Sequence, residues 1–462
     1  MDDSHCHESA MMPMGAARQS TGLRGHWLRV LVFAIGLASG GVVTAADELD
    51  TSKPSLTLHG YGTLGYTSVH TDQPWLLKRD LAQSTSTPHG YGFIPDSNLG
   101  LQLNLQLNER ASLVTQVVLR RRAPTSRAEE NLEWAFGSYQ IQPDLRLRVG
   151  RLNPDIFLLS NHRNVGFAYP WVRPNVEFYG WMPLSATDGL DITKSWRNGD
   201  VRWEANGLLG LSNRVTVQSG SGFADSKSRG KNGLSATLSR EEGGLTLKLS
   251  YLYTKGKLDV DPQLQALLNG LNQLTALPLP SSVAQEAAAL AATIPFDTFT
   301  SQYLSAGLRW EGGPWSVQAE IAHTTRKNPG AAQSVTGTFG YVSAGYRVGT
   351  VTFTGMLGSA RSPKAAAADP QWFNTLIAAG MDPTQAAQTQ AIGSLATAGA
   401  NSLRIDQSSV STGLRWDMTP QTALKLQWDR VFVRANGSGL WANSTTPSGR
   451  ADVYSASFNF VF

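Results

Sequence analysis

The sequence predicts an all-β protein: a transmembrane antiparallel β-barrel of about sixteen strands, with long loops on one side that carry short helices. Three observations predict it. From Ser55 onward, segments of about ten residues alternate apolar and polar side chains, the two-residue period of a strand with two unlike faces. The connections between these segments alternate strictly between short and long. Charged residues make up only 16% of the 462, below an ordinary soluble domain, yet mean hydropathy is −0.20 and the repeated apolar runs of a helical membrane protein are missing. A formal net charge of +4 is too small over this length for a nucleic-acid footprint, so no nucleic-acid partner is expected.

Residues 1–46 read as a secretory signal peptide. Arg18, Arg24 and Arg29 supply the basic region, Leu28 to Ala38 the apolar run, and Val42 to Ala46 the small-residue cleavage site before Asp47. Met11, Met12 or Met14 is an alternative start, because Asp2, Asp3 and Glu8 are out of place in a basic region. Cys6 is the only cysteine and precedes the cut, so the mature chain, 47–462, carries no thiol or disulfide.

The expected strands lie near 56–68, 97–108, 111–120, 131–142, 144–151, 188–196, 200–211, 231–241, 244–255, 300–311, 314–325, 337–348, 350–360, 404–417, 420–433 and 451–462. The clearest runs from Asn98 to Asn108, with Leu99, Leu101, Leu103, Leu105 and Leu107 on one face and Gln102, Asn104 and Gln106 on the other. Short connections such as Arg197-Asn198-Gly199, Glu242-Gly243, Gly312-Gly313 and Gly349 carry the residues that tight turns need. Long ones, among them 69–96, 152–187, 256–299 and 361–403, exceed what compact soluble domains use. Lipid cannot hydrogen-bond a bare backbone, so a sheet that crosses it must close on itself. Trp134, Phe136, Trp203, Tyr251, Tyr253, Trp310, Trp315, Trp416 and Trp428 fall in phase with aliphatic neighbours and read as lipid-facing girdles. Gly60-Tyr61-Gly62-Thr63-Leu64-Gly65 matches a dinucleotide motif, but it lies inside an alternating strand with no helix after it, and no cofactor or metal is expected.

The final Ser457-Phe458-Asn459-Phe460-Val461-Phe462 resembles the assembly signal of Gram-negative outer-membrane barrels. Leu58-His59-Gly60-Tyr61-Gly62-Thr63-Leu64-Gly65-Tyr66 resembles the opening strand of bacterial porins. The stretch from Gly150-Arg151-Leu152 through Asp155–Ser160 to Val165–Pro174 is similar to a porin-like group of proteobacterial barrels. The resemblance implies an outer-membrane location, recognition of Phe462 by the barrel-assembly machinery, a homotrimer, and a third long loop that folds inward.

If one face meets lipid, the other lines the lumen. Alternation turns Arg120, Arg146, Arg148, Arg202, Lys248, Arg309, Arg415 and Lys425 inward, with Glu133, Asp191, Glu204, Glu320 and Asp429. That cationic surplus implies a modest anion preference. Independently of the resemblance, loop 152–187 carries Phe157, Leu158, Leu159, Phe167, Tyr169, Trp171, Phe178, Tyr179 and Trp181, too much apolar surface to stay in water, so it is expected to pack on the inner wall as a constriction. Within it His162, Arg163, Arg173, Glu177 and Asp188 are the candidates to face the pore. Asp261-Pro262 and Asp369-Pro370 are expected to start short helices in later loops, and Ala284 to Ala292 is a further helix candidate. The expected function is a porin in contact with outer-membrane lipid, passing small hydrophilic solutes and ions by diffusion. The alternatives are a channel specific for an anionic or aromatic solute and, disfavoured because no nucleophile and base can be assembled, an outer-membrane enzyme.

Overall fold

The computed structural model describes residues 54–83, 90–122, 128–182, 186–212, 215–217, 226–259, 262–293, 297–327, 336–362, 367–401, 404–442 and 448–462. The expected leader lies outside the described residues. Sixteen long antiparallel strands build the wall: β1 (Ser55–Thr71), β2 (Asn98–Gln106), β3 (Ala111–Arg120), β4 (Leu132–Gln142), β5 (Leu145–Leu152), β6 (Thr187–Asn198), β7 (Val201–Ser212), β8 (Ser226–Glu242), β9 (Leu245–Asp259), β10 (Asp297–Gly312), β11 (Trp315–Lys327), β12 (Gly337–Val348), β13 (Val351–Arg361), β14 (Ile405–Thr419), β15 (Thr422–Ser438) and β16 (Gly449–Val461). Each pairs with its neighbours in sequence. β1 pairs with β2 from Ser55↔Gln106 to Thr63↔Asn98 and with β16 from Tyr61↔Val461 to Thr71↔Ala451, so the sheet closes and has no free edge. Several strands run past the expected ends on the long-loop side, as β8, β9, β10 and β15 do.

At the short-turn end Gly199, Gly243, Gly313 and Gly349 take positive φ (62°, 53°, 57° and 59°), which a residue with a Cβ adopts only under strain. On the outer face Leu58, Leu103, Leu113, Leu190, Leu209, Leu249, Leu304, Ile321, Leu357 and Leu426 are all exposed, a greasy surface that only lipid or another apolar body would cover. Near the short turns the aromatics gather: Trp196 stacks on Trp203 (6.2 Å between centroids), and Trp310, Trp315, Tyr346 and Trp416 lie beside the neighbouring turns. That is the interfacial girdle of a barrel in lipid. Among the described residues no helix is long and apolar enough to cross a membrane.

The buried apolar core lies inside the barrel. It joins Ile156, Phe157, Leu159, Tyr169, Trp171, Phe178, Tyr179 and Trp181 of the segment after β5 to Leu252, Tyr303, Phe339, Tyr341, Met356 and Ile405 of the wall. One short helix, α1 (Val176–Tyr179), belongs to that segment. Four more, α2 (Pro262–Ala276), α3 (Ser281–Thr293), α4 (Trp372–Ala378) and α5 (Pro383–Asn401), come from two long loops and share a separate apolar cluster of Leu271, Leu274, Val283, Ala287, Leu290, Trp372, Leu376, Ala386 and Ala396. The expected starter Asp261 lies outside the described residues. α4 begins at Trp372 rather than at Asp369-Pro370, because the Gln390 side-chain oxygen accepts from the backbone N–H groups of Trp372 (2.7 Å) and Phe373 (3.2 Å) and replaces a local cap.

Candidate functional site

The segment between β5 and β6 enters the barrel and is tied to its inner face from β8 round to β1. Thr237 of β8 donates to the Asp155 carbonyl (2.6 Å), and Lys248 of β9 donates to the Asp155 carboxylate (2.5 Å) and the Phe157 carbonyl (2.8 Å). Ser305 of β10 donates to the Ile156 carbonyl (3.1 Å), and Glu320 of β11 accepts from Leu158 N–H (2.7 Å) and from the hydroxyls of Tyr179 and Tyr341. Trp171 donates to Ser343 of β12 (2.7 Å), and Val172 N–H to Gln427 of β15 (2.8 Å). Lys425 of β15 is fully buried and donates to three carbonyls, those of Gly166, Tyr169 (2.6 Å) and Trp171 (2.7 Å); Arg415 of β14 adds the Phe167 carbonyl (2.6 Å). Gly166 sits where a Cβ would collide with Thr63 and Asn459, which explains why glycine is needed at this close approach to β1 and β16.

Two of the expected pore-facing residues of this segment are spent on the wall. Arg173, 3% exposed, donates to Asp96 (2.9 and 2.7 Å), to Asp429 (2.8 Å), to Thr67 (3.2 Å) and to Ser455. Glu177, 2% exposed, accepts from Gln407 (2.8 Å), Ser409 (2.9 Å) and Asn175 (2.9 Å). Burial pushes the Glu177 carboxyl above its ordinary range, against those hydrogen bonds. Trp171, also buried, packs on Tyr341. The expectation that Arg173 and Glu177 face the pore is therefore corrected: hydrogen-bonding partners on the inner wall turn them outward from the axis. Asp188 is corrected too. It belongs to β6, pairs across the ladder with Arg151, and shares its face with exposed Leu190 and Val149, so its ion pair with Arg151 (3.0 Å) sits on the outer surface. His162 and Arg163 remain half-buried inside. Burial lowers the His162 pKa, and nearby Arg309 and Lys248 lower it further.

A second inserted segment, which sequence reasoning missed, comes from the first long loop. Trp75, Leu77, Lys78, Leu81 and Ala82 are buried. Arg79 donates to the Arg163 carbonyl (2.8 Å) and the Tyr169 hydroxyl (3.3 Å), and Leu81 N–H to the Gly180 carbonyl (2.9 Å), so this segment docks on the first. Asp80 pairs with Arg120 at the end of β3. Burial alone would raise the Asp80 carboxyl, but Arg120 outweighs it and holds the group down at about 2. The apolar Trp75, Leu76, Leu77 and Leu81 inside a polar loop were the available signal.

The arc from β4 to β7 carries half-exposed Arg146, Arg148 and Gln140 beside buried Glu133, Asp191 and Thr193. On it Arg148 pairs with Asp191, with Arg148 Nε donating at 3.0 Å. Arg122 at the loop end pairs with Glu133 (3.2 Å). Arg202 stands 3.8 Å from Glu204, which also accepts from Ser195 (3.2 Å). Arg309 of β10 is 3.9 Å from Glu311 and partly exposed. Arg146, opposite Gln140 and Thr193, has its Nε buried with no hydrogen-bond partner among the described residues. Of the charged residues expected inward, Lys425, Glu320 and Asp429 are covered by the inserted segment, because they are what holds it.

Trp134 and Phe136 are not lipid-facing. The β3–β4 register skips Glu133, a bulge that pairs Trp134 with inward Gln116 and Phe136 with Val114. Phe136 then lies under the Arg148 guanidinium, 5.2 Å from ring centroid to Cζ. At the far end, Phe462 exchanges backbone hydrogen bonds with Gly60 (both 2.9 Å), and the rings of Phe460 and Phe462 lie over Gly62 and Gly60.

A closed sixteen-stranded antiparallel barrel, apolar outside, polar inside and entered by its own loops, defines the outer-membrane β-barrel class. No family model matches the chain, and no curated protein matches it. Solved structures are similar in fold. The anion-selective porin from Comamonas acidovorans aligns over 89% of this chain and 100% of its own, at 12% identity and a TM-score of 0.46. The outer membrane channel DcaP of Acinetobacter baumannii aligns over 88% and 98%, at 10% identity and 0.45, and OprB of Pseudomonas putida over 89% and 94%, at 9% and 0.43.

Proposed function

We propose that this protein is an outer-membrane porin of a Gram-negative bacterium, a water-filled channel through which small hydrophilic solutes and ions diffuse passively, with a modest preference for anions. The observation that carries the reading is the β4–β7 arc. On it Arg146 and Arg148 are half-exposed, and Arg146 stands without an ionic partner among the described residues. In a low-dielectric tube one unpaired fixed cation biases which ion enters. The inserted segments act as the constriction, and Arg146, Arg148, Arg202, Arg309 and Glu204 line the path, with Glu133 and Asp191 behind them as partners of Arg122 and Arg148. Secretion with a cleaved leader, assembly through Phe462 and a homotrimer belong to the same reading, and crosslinking in membranes tests the last. The central test is planar-bilayer recording across a potassium chloride gradient. Stable unitary currents with a reversal potential of the anion-preferring sign are expected; inserted, correctly folded protein that passes no current sinks the proposal.

A further inference from the structure

The outer face changes character toward the long-loop ends of β13 to β16. Lower down it is apolar, with Leu357, Val410, Leu426 and Phe458 exposed on it. Above them each of the four strands carries arginine. Arg361 ends β13, Arg404 precedes β14, Arg430 and Arg434 lie on β15, and Arg450 lies on β16. At about 3.4 Å per residue, Arg430 and Arg434 stand roughly 14 and 27 Å along β15 from Leu426. Two carboxylates share this part of the face. Asp452 accepts two hydrogen bonds from Arg430 (2.8 and 3.0 Å), and Asp406 accepts from Arg434 (2.8 Å) and lies 3.5 Å from Arg404. Arg361 stands across the ladder from Asp406, and Arg450 from Phe432. Both are exposed, and neither makes an ion pair among the described residues. With Asp72, exposed just past β1, counted in, the cations still lead five to three. On β5 and β6, by contrast, the outer Arg151 is balanced one to one by Asp188. The Arg430 guanidinium lies 5.3 Å from the Trp428 ring, and the Trp428 indole N–H donates to Asp452 (3.0 Å). The charges therefore begin at an aromatic level, where the apolar interior of a bilayer gives way to head groups.

We propose that this arginine rim binds the phosphorylated head groups of outer-leaflet lipids, with phosphate oxygens at Arg361 and Arg450 and acyl chains on the apolar face below. The inference rests on the outer-membrane reading and adds a partner to it. A guanidinium meets a phosphate through two parallel N–H···O bonds, and no carboxylate of the chain occupies those donors on Arg361 and Arg450. The two stand three strands apart, about 14 Å at 4.8 Å per strand, so each takes a phosphate of its own. A free phosphate would use the same donors. The rim is continuous with exposed Leu357, Val410 and Leu426 on the same strands, and only a lipid covers both surfaces with one molecule.

The test is native mass spectrometry of the whole protein in detergent, titrated with lipid A, which carries two phosphates, or with phosphatidylcholine, whose single phosphate is balanced by choline. Lipid A is expected to bind at a concentration about ten-fold below phosphatidylcholine, and inorganic phosphate at equal concentration not to displace it. Arg361→Gln combined with Arg450→Gln removes two exposed cations that hold no carboxylate of the chain, so the barrel is expected to fold. The half-saturating concentration of lipid A should rise about ten-fold in that variant, and that of phosphatidylcholine should not change. Arg151→Gln, on the balanced sector, should change neither. Equal affinity for the two lipids, unchanged lipid A binding in the double variant, or displacement by inorganic phosphate overturns the lipid rim. Loss of an oligomer in the double variant with lipid A binding unchanged overturns it as well, because the arginines then belong to a subunit contact. Recovery of the wild type outside the outer-membrane fraction overturns the location on which the rim rests, a result read separately from the lipid counts.

Discussion

Two arcs of one wall do different work. From β8 round to β1 most of the inner face is covered, Arg309 excepted: Lys248, Glu320, Lys425, Arg415 and Asp429 point inward, but their charges are consumed by the segment lying on them. From β4 to β7 Arg146, Arg148, Arg202 and Glu204 keep part of their surface exposed, while their neighbours Glu133 and Asp191 are buried. The same alternation put both sets inward, so direction alone does not make a residue part of a solute path. What decides is whether backbone carbonyls or water satisfy the cation. A buried ammonium that donates to three carbonyls is a fastener, and its field is largely spent there.

The comparison breaks most visibly at Lys425. Lys425→Met keeps the stem and deletes three hydrogen bonds to carbonyls that no water reaches, each worth about 1–3 kcal/mol when left unmade. The segment around Gly166 to Trp171 is expected to loosen. Unitary conductance should rise severalfold and proteolysis should begin within 153–182; unchanged conductance would mean the segment does not narrow the path. On the β4–β7 arc the expected change is in selectivity, not size. Arg146→Gln should move the reversal potential toward cations with conductance altered by less than about two-fold, and Arg148→Gln should move it less, because Asp191 already balances Arg148. Equal shifts would contradict the pairing. The smallest effect comes from acid. His162 has its pKa lowered by burial and by Arg309 and Lys248, so it is neutral until the pH falls below the ordinary imidazole value, about 6.5. Only below that does it add a cation, and anion preference should rise there in the wild type and not in His162→Gln. A titration centred above that value would contradict the assignment.

Much of this was legible in the sequence, for a local reason. A strand with lipid on one side and water on the other must alternate, so the sixteen strands and their glycine turns stand out. The inward course of the 152–187 loop was legible from Phe157, Trp171 and Trp181, which no polar loop carries without burying them. What stayed hidden depends on contacts distant in sequence. The bulge at Glu133 breaks the phase at the start of β4: Glu133 is buried beside Arg122, while Trp134 and Phe136 share the inward face of Ser138, so reading the phase from Glu133 turns both rings outward. Arg173 and Glu177 find partners some 230 residues or more away, and nothing local marks them as anchors. Asp188 is the second residue of a strand expected to start at that position, and its pairing with Arg151 on the outer face depends on the neighbouring strand.

The two-arc account is tested most directly by cysteine accessibility in the open channel, because Cys6 is the only native cysteine and can be replaced by serine. Ser195→Cys and Gln140→Cys on the β4–β7 arc, both half-exposed, and Ser343→Cys and Ser409→Cys on the covered arc, both buried, are exposed to an anionic thiol reagent during bilayer recording. Stepwise loss of current is predicted for the first pair and none for the second. Block at Ser343→Cys and Ser409→Cys with silence at the other two would place the solute path on the wrong side of the barrel.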